Sequence, residues 1–344
     1  MKVLVAPDSW GGFASAPTIA RRTAEALREA GHFVTELPLT DGGEGAALAL
    51  KSLSSGTLPL AVTGPGGQDV RPLALKMAGH TFLESARAIG SRWCEDPLTA
   101  SSIGLGQALR RLNSNTDGPF VVGLGGSGTM DGGLGLAKGL GLVLEGVDTP
   151  LPSAADLERV EAIRGAPPLS GRVVQVWADV RTPFLESARV FGPQKGADEL
   201  SIERVSHGLA HWHEVVSAWR RRHELPELAV DRVYGGAAGG VGWALEALLG
   251  ARIVAGAAAA ARALELDRHI HDHELVLTGE GRFDPTSLEG KVVGEVLGRA
   301  ADAWVFCGQT TLERDRLVAC DDLAGVDREA RFEAGLLELV RHLA

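Results

Sequence analysis

The sequence predicts an α/β protein whose strands are buried and largely parallel, and three observations carry that expectation. Short apolar runs at residues 3–6, 33–37, 120–123, 173–177, 274–277 and 304–307 have the length of buried strands, and most are separated by helical patterns. Glycine makes up 45 of 344 residues, above a usual share of about 7%, and it collects at the ends of those runs rather than in a repeat. The first two runs lead into Pro7-Asp8-Ser9 and Asp41-Gly42-Gly43-Glu44-Gly45. Carboxylates beside unhindered backbone are expected where parallel strands stop and a ligand begins.

The elements follow in order. Met1-Lys2 runs straight into the first strand, which leaves no room for a secretion signal, so a cytoplasmic protein is expected. Ser15 can cap the first helix, Pro17 suits its first turn, and Ile19, Ala20, Thr23, Ala24 and Leu27 form one inward stripe before Gly31 stops it. Residues 59–90 read differently: short β-like pieces flank the turn Gly64-Pro65-Gly66-Gly67, which suggests a meander and a second domain. Ser153, with Asp156 three residues on, resembles a cap before Leu157, Val160 and Ile163. Residues 198–232, rich in His, Glu and Arg with Trp212 and Trp219, read as amphipathic helix.

Composition excludes several classes. The net charge is −10 with no block of Lys or Arg, which argues against nucleic acid or an anionic membrane as partner. The alanine-rich stretch at 253–261 is too short to cross a bilayer. Cys94, Cys307 and Cys320 are too few and too irregular for a disulfide framework or a zinc site, and the histidines lack metal spacing.

Three stretches and two single carboxylates could carry chemistry. Gly123-Leu124-Gly125-Gly126-Ser127-Gly128 matches the dinucleotide pattern G-x-G-x-x-G, with Glu145 near the expected acidic position. Against that reading, Thr129 to Gly135 holds three glycines and Asp131, a weak start for a helix and a negative charge near a pyrophosphate. A glycine-rich anion loop with a carboxylate for a metal fits better, and a plain tight turn is the alternative. Lys195 lies between Gly192 and Gly196, where an ammonium could meet a phosphate, although in isolation it reads as a solvated loop lysine. Thr278-Gly279-Glu280-Gly281-Arg282-Phe283-Asp284, with Lys291 beyond, crowds cations and carboxylates at one strand end, as phosphoryl transfer with magnesium needs; a surface salt-bridge loop is the alternative. Asp179 and Glu84, each at the end of an apolar run, more often serve as caps or ion-pair partners. Neither the Walker A pattern nor the protein-kinase set is present.

Taken together, these residues resemble the type-1 glycerate kinase family along nearly the whole chain. Ala6-Pro7-Asp8-Ser9 is similar to its A-P-D-S motif, and Asp41 to Gly45 to its D-G-G-E-G. Gly125-Gly126-Ser127 with Asp131-Gly132-Gly133 resembles its G-G-S-x-x-x-D-G-G loop, and Phe191 to Ala197 its F-G-P-Q-K-G-A. Gly235 to Gly240 and Thr278 to Arg282, with Asp284 and Gly290-Lys291, match two further segments in the same order.

The resemblance implies a flavodoxin-like parallel-sheet domain plus a second mixed α/β domain, with the active site in the cleft between them. Residues 1–58 with 271–344 are expected to form the first domain and 59–270 the second. It also implies magnesium-dependent phosphoryl transfer from ATP to glycerate, giving 2-phosphoglycerate, by a monomer or homodimer. Asp8 or Asp41 would activate the hydroxyl, Arg282 or Lys195 would hold the acid group, and Lys291 would join the catalytic set. Ser9, Gly42, Gly43, Glu44 and Glu84 fall on the substrate side. Gly125, Gly126, Ser127, Gly279 and Glu280 fall on the nucleotide side, with Asp131, Asp179 or Glu280 holding Mg2+. Two positions depart from the pattern: Gly11 stands where the family has lysine, and Met130 where it has asparagine. Arg87 or Arg181 is the expected substitute for the lost charge. A kinase for another small hydroxy or sugar acid, and a non-catalytic metabolite-binding descendant, are the alternatives.

Overall fold

A computed structural model describes residues 1–320, 323 and 327–343. The chain forms two compact units, one of Met1–Asp41, Gly45–Leu53 and Ala255–Ala344, the other of Gly42–Glu44 and Ser54–Val254.

The first unit is built on five parallel strands, Lys2–Val5, Phe33–Glu36, Leu275–Thr278, Trp304–Cys307 and Leu317–Ala319. Numbered by their order in the chain, they lie in the sheet as second, first, third, fourth and fifth. That is the flavodoxin-like order, in which the direction of winding reverses between the first and third strands. Helix Ala16–Glu29 covers the sheet as its sequence pattern requires: Ser15 accepts from the Thr18 amide, and Ala16, Ile19, Ala20, Thr23, Ala24 and Leu27 are buried. Of these, Ile19, Ala20 and Leu27 meet Val3, Val5, Leu277, Phe306 and Phe332 in one core, where each fully buried large apolar side chain contributes roughly 1.5–3 kcal/mol.

The second unit is built on a six-stranded mixed sheet in the order Arg252–Ala255, Val174–Ala178, Phe120–Gly123, His80–Glu84, Leu73–Met77, Gly56–Pro59. Its three middle strands are mutually parallel; the last two add antiparallel, forming the meander expected at 59–90. Helix Glu199–Arg222 buries Trp212 and Trp219, whose indole N–H groups donate to the Gly132 and Gly165 carbonyls at 3.0 Å each.

Several expectations change: residues 54–58, expected with the first domain, fall in the second unit, and the helix expected over 198–232 ends at Arg222. The Ser153–Asp156 capping box forms, but it opens a short 3-10 helix, Ala154–Arg159, and Ile163 lies on strand Ala162–Arg164. Residues 255–270, expected with the second domain, pack in the first unit as helices Gly256–Ala263 and Leu266–His271. The glycine-rich Gly42–Glu44 segment, expected with the first, belongs to the second unit. Among the described residues no helix is long and apolar enough to cross a membrane.

Candidate functional site

In the first unit the conspicuous residues gather at the carboxyl ends of the first and third strands, the point where the sheet order reverses and open α/β sheets bind ligands. The two strand ends are laced together. The Thr278 hydroxyl donates to the Ala6 carbonyl at 2.9 Å, the Asp8 amide donates to the Gly279 carbonyl at 2.8 Å, and the Ser9 amide donates to Asp8 Oδ1 at 2.6 Å. Beside them opens a pocket of about 580 Å3 whose walls include Ser9, Glu280, Arg282 and Lys291, four of the residues singled out from sequence. Asp8 is one residue back in the same turn, and the Asp41 carboxylate is close enough to act on Glu280. Gly11 and Arg328 also line this pocket.

Glu280 is the unusual group of that pocket. It is nearly buried, and Oε1 has no hydrogen-bond partner. Burial pushes its pKa up to about 7, helped by the negative charges of Asp284 and Asp41 and opposed by the Ser287 hydroxyl and Lys291. Asp284 behaves oppositely. Its carboxylate accepts from the Thr286 hydroxyl at 2.6 Å and the Thr286 amide at 2.9 Å, which with Lys291 and Arg282 holds it below the usual range.

In the second unit the motif residues sit at the ends of its three parallel strands. Glu84 pairs in register with Gly123, Gly123 pairs with Trp177, and Asp179 follows that third strand. Glu84 is buried, with the Arg87 Nε 3.3 Å from its carboxylate, so Arg87 is already engaged. The loop after Gly123 and the Gly42–Glu44 segment lie backbone against backbone. A methyl group on Gly125 would stand 2.6 Å from Gly43 Cα, and one on Gly126 2.9 Å from Glu44 Cβ. Glycine is needed there because no side chain fits between the two segments.

Two residues of this unit contradict their expected settings. Asp131, expected to hold a metal, is fully buried and saturated by the protein. Oδ2 accepts from the Ser102 amide and hydroxyl and the Gly135 amide at 2.7–3.0 Å, and Oδ1 accepts from the Gly133 amide at 3.1 Å. It therefore pins the loop to helix Leu134–Gly139 and presents no oxygen to a ligand. Lys195, which in isolation reads as a solvated lysine, instead turns its ammonium inward and donates to the Thr129 carbonyl at 2.7 Å. Burial lowers its pKa to about 8, against the opposing charges of Cys94 and Asp131. The dinucleotide reading also weakens, because no helix begins until Leu134, well past the glycine pattern.

No group of three or more His, Cys, Asp or Glu among the described residues is placed to cage a metal ion. Magnesium in phosphoryl-transfer sites needs less, one or two carboxylates completed by water and phosphate oxygens. The unpartnered, buried Oε1 of Glu280, beside the charges of Asp41 and Asp284, fits that demand. Asp131 does not.

Arg328 and Gln309 were not found from sequence. Each lies outside any motif, and only the fold brings them to the pocket.

Comparison with known proteins gives concordant matches. The pattern of the glycerate kinase family matches residues 3–325. The chain is 35% identical over 310 residues to the glycerate 2-kinase of Escherichia coli K12, covering 85% of this chain and 80% of that one. It is 30% identical over 309 residues to the glycerate kinase of Haemophilus influenzae, covering 85% and 80%. A solved structure assigned as glycerate kinase 2 of Salmonella typhimurium LT2 superposes with a TM-score of 0.80 at 30% identity, covering 99% of this chain and 97% of that one.

Proposed function

The chain belongs to the glycerate kinase family, and on that premise we propose that it transfers the γ-phosphoryl group of ATP to glycerate, giving 2-phosphoglycerate with Mg2+ assistance. The observation that carries the reading is the pocket at the reversal point of the first unit. It gathers Ser9, Glu280, Arg282 and Lys291, the mix of cations and carboxylates that phosphoryl transfer uses.

Phosphoryl transfer asks little covalent chemistry of a protein; rate comes from positioning and from fixed charge aimed at the transferring group. Lys291, at the start of helix Val292–Arg299, and Arg282 supply cations. Glu280 would hold Mg2+, whose charge offsets that of the phosphates when bound. Asp8 or Asp41 takes the hydroxyl proton of the acid; Ser9 orients the substrate. On the second unit, the backbone of half-buried Gly125 and exposed Gly126, with the Ser127 hydroxyl beside them, would suit phosphate oxygens. Asp131 and Lys195 hold that loop in shape.

A second reading, a kinase for a larger hydroxy or sugar acid, is favoured by one feature: about 580 Å3 is generous for a three-carbon acid. ADP release measured with ATP, Mg2+ and a panel of two- to six-carbon hydroxy acids decides between them. Highest kcat/KM on D-glycerate is expected. A higher value on a sugar acid favours the second reading, and ADP release with no acid overturns both.

A further inference from the structure

We propose that Arg328 binds the carboxylate of the acid substrate in the first unit's pocket; the inference rests on the reading of the protein as a hydroxy-acid kinase. Arg328 opens helix Arg328–Leu343 and lies beyond residues 3–325, the span that matches the family pattern.

The charges lining the pocket show why. Arg282 is offset by Asp284, with Nε 3.4 Å from Oδ2, and Lys291 faces Glu280 and Asp284. That leaves Arg328. Its Nη1 donates to the Gly12 carbonyl at 3.2 Å and its guanidinium stands 6.0 Å from the Phe13 ring centre; no carboxylate pairs with it among the described residues. Arg22, packed on the same aromatic cluster, is the useful contrast, because both Glu329 and Glu333 neutralise it.

Helix stability does not account for Arg328, since a cation in the first helical turn opposes the helix dipole. Its position is nonetheless firm. Phe332, one turn on, packs against Trp10 and Phe13 with ring centres 5.3 and 5.2 Å away, which ties the start of the helix to the loop that walls the pocket. Beside it, Gly11 leaves open space: a methyl there would meet nothing within 4 Å. A planar guanidinium next to that space, with no carboxylate paired to it among the described residues, matches a carboxylate. A phosphate oxygen offers related chemistry, so the test separates the two.

Arg328→Gln keeps a donor for the Gly12 carbonyl and removes the charge; Arg328→Lys keeps the charge. With both substrates varied at fixed Mg2+, Arg328→Gln is expected to raise the KM for the acid by about tenfold or more and leave the KM for ATP within about twofold. Arg328→Lys is expected to recover part of the loss. An unchanged KM for the acid in Arg328→Gln overturns the inference, as does a rise confined to ATP, which assigns Arg328 to a phosphate. Calorimetric titration of D-glycerate and of inorganic phosphate into the protein without ATP supplies a readout that does not need turnover. If the wild type turns over no acid, the kinase reading fails. Glycerate binding that is lost in Arg328→Gln still upholds the role of Arg328; binding of phosphate alone, or of neither, overturns it.

Discussion

The two sets of strand ends that carry the motifs are built on opposite plans. In the first unit charged side chains line an open pocket, and one of them, Glu280, keeps a carboxylate oxygen without a partner. In the second unit two charged motif residues are spent on the protein itself: Asp131 accepts four hydrogen bonds and Lys195 donates to a loop carbonyl, while Gly126 and Glu44 stay exposed. The contrast teaches that a carboxylate in a glycine-rich motif is not by that fact a ligand. Whether it faces a substrate or a neighbouring amide is decided by tertiary contacts.

The comparison can be broken or sharpened by substitution. Asp131→Ala should have the largest effect, because it strands buried donors on Ser102, Gly133 and Gly135. A loss on the order of 3 kcal/mol or more is expected in urea unfolding. A stability within 0.5 kcal/mol of wild type, read against that figure, would show that the loop does not depend on Asp131. Lys291→Ala should instead leave the melting temperature in place and lower kcat about 100-fold in single-turnover assays. Equal losses of stability in the two variants would erase the distinction between the units.

Gly125→Ala places a methyl 2.6 Å from Gly43 Cα and should destabilise by about 1–3 kcal/mol, with a rise in the KM for ATP. Lys195 gives a pH signature. Its pKa is lowered to about 8 from an ordinary 10.5, so between those values the unfolded chain holds the extra proton. The contribution of this group to stability therefore rises with pH over that window, while its native charge is lost. Activity is expected to fall as pH passes about 8, and Lys195→Arg, which stays charged, should move that limb upward; an unmoved limb would assign it to another group. Gly11→Ala is the smallest change, within about 0.5 kcal/mol in stability, because nothing lies within 4 Å of the added methyl.

Much of this architecture was legible in the sequence, for a physical reason. Buried parallel strands must be apolar throughout, so runs such as 120–123 and 304–307 announce themselves, and Ser15, Pro17 and the stripe of Ala16–Glu29 do the same for the first helix. The strands Arg252–Ala255 and Leu317–Ala319 escaped because each is short and half-buried, without a distinct pattern. That four motif residues would share one pocket was also readable, since Ser9, Glu280, Arg282 and Lys291 stand at the ends of two strands that pair in the sheet or just beyond them. Side-chain direction was not. Asp131 turns inward because of Ser102, 29 residues away, and the ammonium of Lys195 because of Thr129, 66 away. Arg328 belongs to no motif, and only the packing of Phe332 against Trp10 and Phe13 brings it to the pocket.

The most direct test is phosphorus NMR of the protein with ATP, Mg2+ and D-glycerate, which reads turnover and the position of the new phosphate together. The expected result is loss of the γ-phosphate resonance with matching growth of ADP and 2-phosphoglycerate, abolished in Lys291→Ala. A spectrum in which ATP persists, or in which inorganic phosphate alone appears, would contradict the assignment.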